Sequence, residues 1–329
     1  MFFNAPPYTA PRSDHFDGRH FHNTAPIEHG KASAFLKWMT SRERRAGEGW
    51  TRIDPPPGPK PEARVFGDTL RVTLVGHATL LIQMQGLNVL TDPLWEPRTS
   101  PVRFAGPKRF RPAAIRFDDL PPIDLVLVSH NHYDHLSVST LKRIADAHDT
   151  PTIVTGLGNR QLLEKHDIGG AIELDWWAST RVNDVTVTAV EMQHFSGRGP
   201  RDRDVTLWVG LVVEHPQAGR LLFCGDTGYG AHFTRIRERI GAPRVALVPI
   251  GAYQPRALMK PVHVDPTEAV QAHLDLGAQT SVGMHYGTFR LTDEPMDEPP
   301  AKLVEARAAA GLGEDAFRIL PHGVSADLP

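Results

Sequence analysis

One cysteine, Cys224, in 329 residues leaves no partner for an internal disulfide and fits a reducing compartment. No stretch approaches the roughly 18 uninterrupted apolar residues of a membrane-spanning helix. The start, Met-Phe-Phe-Asn-Ala-Pro-Pro, lacks a charged region followed by an apolar one, so no export signal is expected. An excess of one charge sign is missing too. Lys and Arg number 36 against 38 Asp and Glu, and a net charge of −2 carries no basic footprint, which argues against nucleic acid as a partner. The expectation is a cytoplasmic globular protein. Its 40% hydrophobic content over this length can bury a substantial core, in one large domain or two small ones.

Histidine is abundant, with 17 in the chain. The most informative run is Ser-His-Asn-His-Tyr-Asp-His at 129–135, directly behind the apolar stretch from Ile123 to Val128. Such a stretch reads as a buried strand, and the end of a strand is where a chain can turn imidazoles toward one point. His130 and His132 are two apart and share a side in extended backbone, while Asp134 and His135 can face a second point. Imidazole nitrogen and carboxylate oxygen are donors that zinc prefers and that iron or manganese also accept.

Residues 1–65 differ from the rest. They hold many prolines and histidines, a short helical candidate from Lys31 to Arg45, and the Pro-rich link from Pro55 to Pro61. They read as an arm wrapping a folded body at 66–329, with no core of its own. Within that body, strand signals cover Leu70 to Val75, Thr79 to Met84, Leu87 to Thr91, Thr152 to Thr155, Val182 to Glu191, Thr206 to Glu214, Arg220 to Cys224 and Val245 to Pro249. Helices are expected near 139–149, 159–166, 232–240, 266–276 and 300–310. Strands in runs interrupted by helices indicate an αβ protein with mixed sheets.

Other ligand-type residues take the same position, just past an apolar strand: His194, Asp226 in Gly-Asp-Thr-Gly, and His285. Taken alone, each is an ordinary turn or surface residue. Together they give two three-ligand sets and a bridge. His130, His132 and His194 would hold one metal, and Asp134, His135 and His285 the other, with the Asp226 carboxylate spanning both. Room for a shared water marks a catalytic rather than a structural site, and two dications would keep that water as a bridging hydroxide at pH 7.

These residues, in this order, resemble the metallo-β-lactamase fold superfamily, whose signature is H-x-H-x-D-H followed by distant His, Asp and His. Several motifs are similar to the N-acyl-phosphatidylethanolamine-hydrolysing phospholipase D family. They include Gly-His-Ala-Thr (76–79), Leu-Thr-Asp-Pro (90–93), the run Ser-Pro-Val-Arg-Phe-Ala-Gly-Pro-Lys-Arg-Phe (100–110), Glu-Leu-Asp-Trp-Trp (173–177), Pro-Ile-Gly-Ala-Tyr-Gln-Pro-Arg (249–256) and His-Tyr-Gly-Thr-Phe from His285. The resemblance covers about Trp50 to Gly323. It implies a four-layer αβ/βα sandwich with two zinc ions at one edge of the sheets. It also implies cleavage of a phospholipid phosphodiester to phosphatidic acid and an N-acylethanolamine, and a homodimer. A lipid substrate would bring peripheral contact with the inner membrane face.

The resemblance further implies that Asp92 supports a zinc-ligating histidine from behind and that His263 lies near the substrate phosphate, as a proton donor or oxyanion stabiliser alongside Asp134. His77 either lines the site or is an interior histidine. Tyr253 and Arg256 are candidates for binding an anionic head group. Segment 195–205 is polar and arginine-rich where a lipid-facing surface would be apolar. This keeps open an alternative, a lactonase or amidase using the same metals on a small soluble substrate.

Overall fold

The computed structural model describes residues 4–27, 32–40, 49–147 and 151–329. Of the features expected from sequence, Lys31, residues 41–45 and residues 148–149 lie outside them. In chain order the strands begin with β1 (Leu70–Gly76), β2 (Thr79–Met84), β3 (Leu87–Thr91), β4 (Leu125–Val128), β5 (Thr152–Gly156), β6 (Ile172–Leu174) and β7 (Ser179–Val182). They continue with β8 (Val185–Val190), β9 (Gly210–His215), β10 (Gly219–Phe223), β11 (Val245–Pro249), β12 (Thr280–Met284), β13 (Phe317–Arg318) and β14 (Ser325–Leu328). The helices are α1 (Ala32–Thr40), α2 (Val138–Ala147), α3 (Asn159–Glu164), α4 (His232–Ile240), α5 (Arg256–Met259), α6 (Pro266–Leu276) and α7 (Glu298–Ala309).

The strands form two seven-stranded mixed sheets, ordered β14-β1-β2-β3-β4-β5-β6 and β13-β12-β11-β10-β9-β8-β7. Their period-2 side chains explain the layering. Leu80, Ile82 and Met84 of β2 enter the core between the sheets, together with Val187 and Ala189 of β8 and Leu222 of β10. Leu81 faces the other way, into a second core that Leu141 and Ile144 of α2 and Leu162 and Leu163 of α3 cover. Each fully buried aliphatic side chain contributes about 1.5–3 kcal/mol. The result is the expected four-layer αβ/βα sandwich.

The direction of the strands places the site. β3, β4 and β5 run parallel, as do β10, β11 and β12. β8 and β10 both pair antiparallel with β9, so they share one direction. The C-terminal ends of β3, β4, β8, β10 and β12 therefore open onto their sheets' common edges, and ligand sites in such sheets lie there. Helix α6 is fixed by a capping box: Asp265 accepts from the backbone N–H of Thr267 and Glu268, Glu268 returns a bond to Asp265, and Pro266 fills the first turn.

Two strand expectations change. The stretch from Val182 to Glu191 is split by a turn at Asn183, φ 52°, into the hairpin β7–β8. Residues 206–209 are not strand, because Leu207 N–H donates to the Leu157 carbonyl and Val209 N–H to the Ser129 carbonyl across to the other sheet's loops. No helix among the described residues is long and apolar enough to cross a membrane.

The arm contributes side chains to both cores. Phe16 and Phe21 enter the core between the sheets, and Ala5 the outer one. His15 stacks on Trp176, ring centroids 4.6 Å apart, and its Nε2 lies 2.7 Å from Asp175 Oδ1.

Candidate metal centre

The seven expected ligand residues converge. His130 Nε2 and His132 Nδ1 lie 2.8 Å apart, and His194 Nε2 is 3.4 Å from His132 Nδ1. In the second set His135 Nε2 and His285 Nε2 are 3.1 Å apart, and each is 3.5 Å from Asp134 Oδ2. Asp226 spans the two groups. Its Oδ2 is 3.1 Å from His135 Nε2, 3.7 Å from His194 Nε2 and 4.0 Å from His130 Nε2, and its Oδ1 is 3.1 Å from His285 Nε2. Donor atoms about 2.0–2.2 Å from one tetrahedral ion sit roughly 3.3–3.5 Å from each other, the scale seen here.

Hydrogen bonds behind the rings set which nitrogen faces inward. Asp92 is buried and accepts from Ser129 N–H at 2.8 Å, Ser129 Oγ at 2.6 Å and His135 Nδ1 at 2.5 Å. With its hydrogen given to Asp92, the Ser129 hydroxyl accepts from His130 Nδ1 at 2.9 Å. His194 Nδ1 donates to the Val262 carbonyl at 2.9 Å. All three rings thus carry the proton on Nδ1 and aim the Nε2 lone pair into the cluster. Imidazole nitrogens gathered in this way around carboxylate oxygens are the donor set that a divalent cation takes up. Asp226 Oδ1 is buried beside His285 Nε2 without hydrogen-bond geometry, as two ligands of one ion are. By chemistry and spacing these residues could hold metal ions.

Burial would raise the Asp226 carboxyl, but His135, His285 and His263 outweigh it and hold it well below the usual range. Asp134 is likewise held low, with burial opposed by His135, His285 and His77. Burial pushes His130 and His194 well below their ordinary value and His132 to about 4, keeping these imidazoles neutral and able to coordinate. His285 is raised to about 9, since Asp226 and Asp134 overcome burial. The two carboxylates thus make this corner of the cluster the one most favourable to positive charge.

Asp92 stands behind His135. His77 is 3.1 Å from Asp134 Oδ2 through Nε2, its ring 3.9 Å from that of His285, and burial lowers it to about 3. His263 enters from the loop before α6, its Nδ1 3.9 Å from Asp226 Oδ2. His132, Asp134 and His263 retain partial exposure and mark the open side, which Phe195 borders with its ring 4.5 Å from His132.

Two expected substrate residues are placed otherwise. Tyr253 is buried, with its hydroxyl 2.6 Å from Glu298 Oε1. Arg256 donates to the His263 carbonyl at 2.8 Å and to Glu268 at 2.5 Å, with Asp265 at 3.4 Å. Acidic groups of α6 and its cap hold this guanidinium, so it fixes the His263 loop rather than standing open to a head group. Part of the polar segment 195–205 also turns inward, while Arg201 and Arg203 stay exposed. Arg198 lies over the Tyr133 ring and donates to the Asn131 and Leu136 carbonyls, and buried Asp202 accepts from Ala5, Arg198 and Gly199.

One contributor escaped the sequence entirely. Asn23 of the arm bonds His194 at two points: its Nδ2 donates to the His194 carbonyl at 2.8 Å, and its Oδ1 accepts from His194 N–H at 3.1 Å. No local pattern announces a contact across 171 positions. Ser129, by contrast, stands inside the motif and was legible as a neighbour of His130.

Comparison with known proteins agrees with this geometry. Residues 87–286 match the family described as beta-lactamase superfamily domain. The chain is 38% identical over 247 residues to N-acyl-phosphatidylethanolamine-hydrolyzing phospholipase D 1 of Caenorhabditis elegans, covering 72% of this chain and 69% of that protein. It spans 64% of an uncharacterized Mycobacterium tuberculosis relative, about two thirds of the length of such proteins. It is 30% identical over 267 residues to a UPF0173 metal-dependent hydrolase of Methanopyrus kandleri, covering 77% of this chain and 97% of that one. Among solved structures, the metallo hydrolase Igni18 of Ignicoccus hospitalis superposes with a TM-score of 0.61 at 21% identity, over 79% of this chain and 99% of that one, which shows the shared fold.

Proposed function

This chain belongs to the β-lactamase superfamily, as a metal-dependent hydrolase similar to N-acyl-phosphatidylethanolamine-hydrolysing phospholipases D, and from that premise we propose that it cleaves the head-group phosphodiester of such lipids. The observation that carries the reading is the convergence of seven His and Asp side chains, with Asp226 between two groups of three. We assign a pair of zinc ions to them, one to His130, His132 and His194 and one to Asp134, His135 and His285. Bound there, the ions would supply Lewis acidity, lowering the pKa of water toward neutrality and countering charge on a phosphoryl oxygen.

The chain's own groups do the rest. Asp92, Ser129 and the Val262 carbonyl hold three imidazoles in one tautomer, with Nε2 toward the cluster. Burial lowers His263 to about 4, so it meets substrate as a neutral imidazole. Its role is then an N–H hydrogen bond to a phosphoryl oxygen rather than a fixed positive charge. Asp134 stays ionised beside His77 and can orient water on the open side.

Zinc-loaded protein should convert N-acyl-phosphatidylethanolamine to phosphatidic acid and N-acylethanolamine, and should leave lactones and a chromogenic β-lactam intact. His132→Ala and Asp226→Ala should each reduce turnover to background while the circular dichroism spectrum stays unchanged. Lactone turnover without phosphodiester cleavage would give the site to the alternative reading, and near-full activity in either metal-quantified variant would remove the ligand assignment.

A further inference from the structure

We propose that the cavity between the 97–112 loop and residues 52–54 is a second binding site, distinct from the metal cluster, that receives a phosphate group. The cavity measures about 560 Å³ and is lined by Arg52, Arg98, Arg103, Lys108, Arg109 and Arg116, against a single carboxylate, Asp54. In a chain of net charge −2, six cations around one hollow run against the composition. Clefts lined by one sign of charge concentrate ions of the other sign.

The pairing of these cations is what makes the hollow a site. Arg116 is bound to Asp119 at 2.6 Å, but Arg52, Arg103 and Lys108 have no ion pair among the described residues. An antiparallel bridge sets Arg98 directly opposite Lys108, closed by Thr99 N–H to the Pro107 carbonyl and Arg109 N–H to the Pro97 carbonyl. Like charges facing each other across such a bridge destabilise it, and an anion between them removes the repulsion. Arg109 lies deeper. Its Nε and Nη2 donate to the Glu96 and Leu94 carbonyls, and its Nη1 is buried without a hydrogen-bond partner. Arg109 therefore adds charge behind the hollow, and the exposed guanidinium forks of Arg52 and Arg103 are the ones that match phosphate oxygens in geometry as well as in charge.

The neighbouring cavity across the same loop, of about 500 Å³, supplies the contrast. It also holds cations, yet Lys142 there pairs with Asp167 at 3.6 Å, and Glu96 already accepts from Ser139 and Thr140. The proposed cavity adjoins the metal cluster through two contacts: the Arg109 guanidinium lies 4.6 Å from the Phe289 ring centre, and that ring is 5.3 Å from His77. A phosphate seated in it would lie beside, not inside, the cluster.

A lipid head group and a soluble phosphate compound share this chemistry. Phe104, 84% exposed on the same loop, separates them, because a bilayer takes up such a ring and a soluble ligand does not. The test uses zinc-loaded full-length protein. One arm titrates inorganic phosphate by calorimetry. The other measures sedimentation with vesicles of phosphatidylglycerol mixed into phosphatidylcholine, against phosphatidylcholine alone. Arg103→Ala with Lys108→Ala should weaken binding roughly thirty-fold in at least one arm, with zinc content and melting temperature unchanged. Loss confined to anionic vesicles and shared by Phe104→Ala assigns a lipid phosphate, and loss of phosphate binding with Phe104→Ala unaffected assigns a soluble one. A double variant that binds both probes as the parent does, or a parent that binds neither, overturns the site. The readout is binding rather than turnover, so the result stands or falls apart from the hydrolase reading.

Discussion

His77, Asp92, Ala252 and His285 all hold positive φ, at 57°, 31°, 65° and 63°, although none is glycine. Each such residue costs of order 1–3 kcal/mol and persists only where its surroundings over-determine it. Here they do: His285 N–H donates to the His77 carbonyl at 2.9 Å, Asp92 N–H to Leu127 at 2.8 Å, and Ala252 N–H to buried Glu294 at 2.6 Å. His77, Asp92 and His285 carry that strain at the cluster itself. Asp92 offers the sharpest test, since it orients His135 and, through Ser129, His130. Asp92→Asn should weaken metal affinity about 10–100-fold in competition with a chromophoric chelator. Unchanged affinity would show that the rings need no such support. The sequence leaves Arg256 open between a head-group ligand and an ordinary loop residue, and the bond to Glu268 is a contact that only the fold reveals.

The N-terminal arm is the element whose role the sequence left blank. Its local composition has no periodicity, so its docking depends on scattered residues: Phe16 and Phe21 in the core, Asn23 on His194, and His15 between Asp14 and Asp175. Burial lowers the His15 pKa, but the two carboxylates outweigh it and the net shift is upward. A raised folded value means the protonated ring stabilises docking. That contribution is fully present below the unfolded value of about 6.5 and is lost as pH rises through the folded value. Amide exchange over residues 16–23, corrected for intrinsic rates, should therefore speed up on going from mildly acid to alkaline pH, and His15→Gln should abolish the difference. Exchange that stays flat with pH in the parent protein would exclude the clasp. Asn23→Ala should leave the arm's apolar contacts in place yet hasten zinc loss to chelator, since His194 loses both backbone anchors.

At the scale of the whole molecule, the two sheets share one core, so neither half is independent of the other. Leu80 on β2 is fully buried in it, and Leu80→Ala should cost about 2–5 kcal/mol of stability. Urea melts followed by far-ultraviolet circular dichroism and by tryptophan fluorescence, which reports on buried Trp176 and Trp208, should shift together, and separated shifts would mean the sheets unfold apart. The strands buried on both faces were legible, because a short apolar run bounded by turn residues leaves a local trace: β2, β3 and β11 lie where their sequences place them. The short edge strands β6, β7, β13 and β14 were not, because two to four residues carry too little periodicity to read. The kind of chemistry was already written in the order of residues, since seven donor residues at strand ends mark a metal site wherever the strands share a direction. The tertiary structure alone decided which ring nitrogen faces inward, which charges are already paired, and which distant residue anchors His194. Those are properties of neighbours in space, and folding brings them together from positions that share no local pattern.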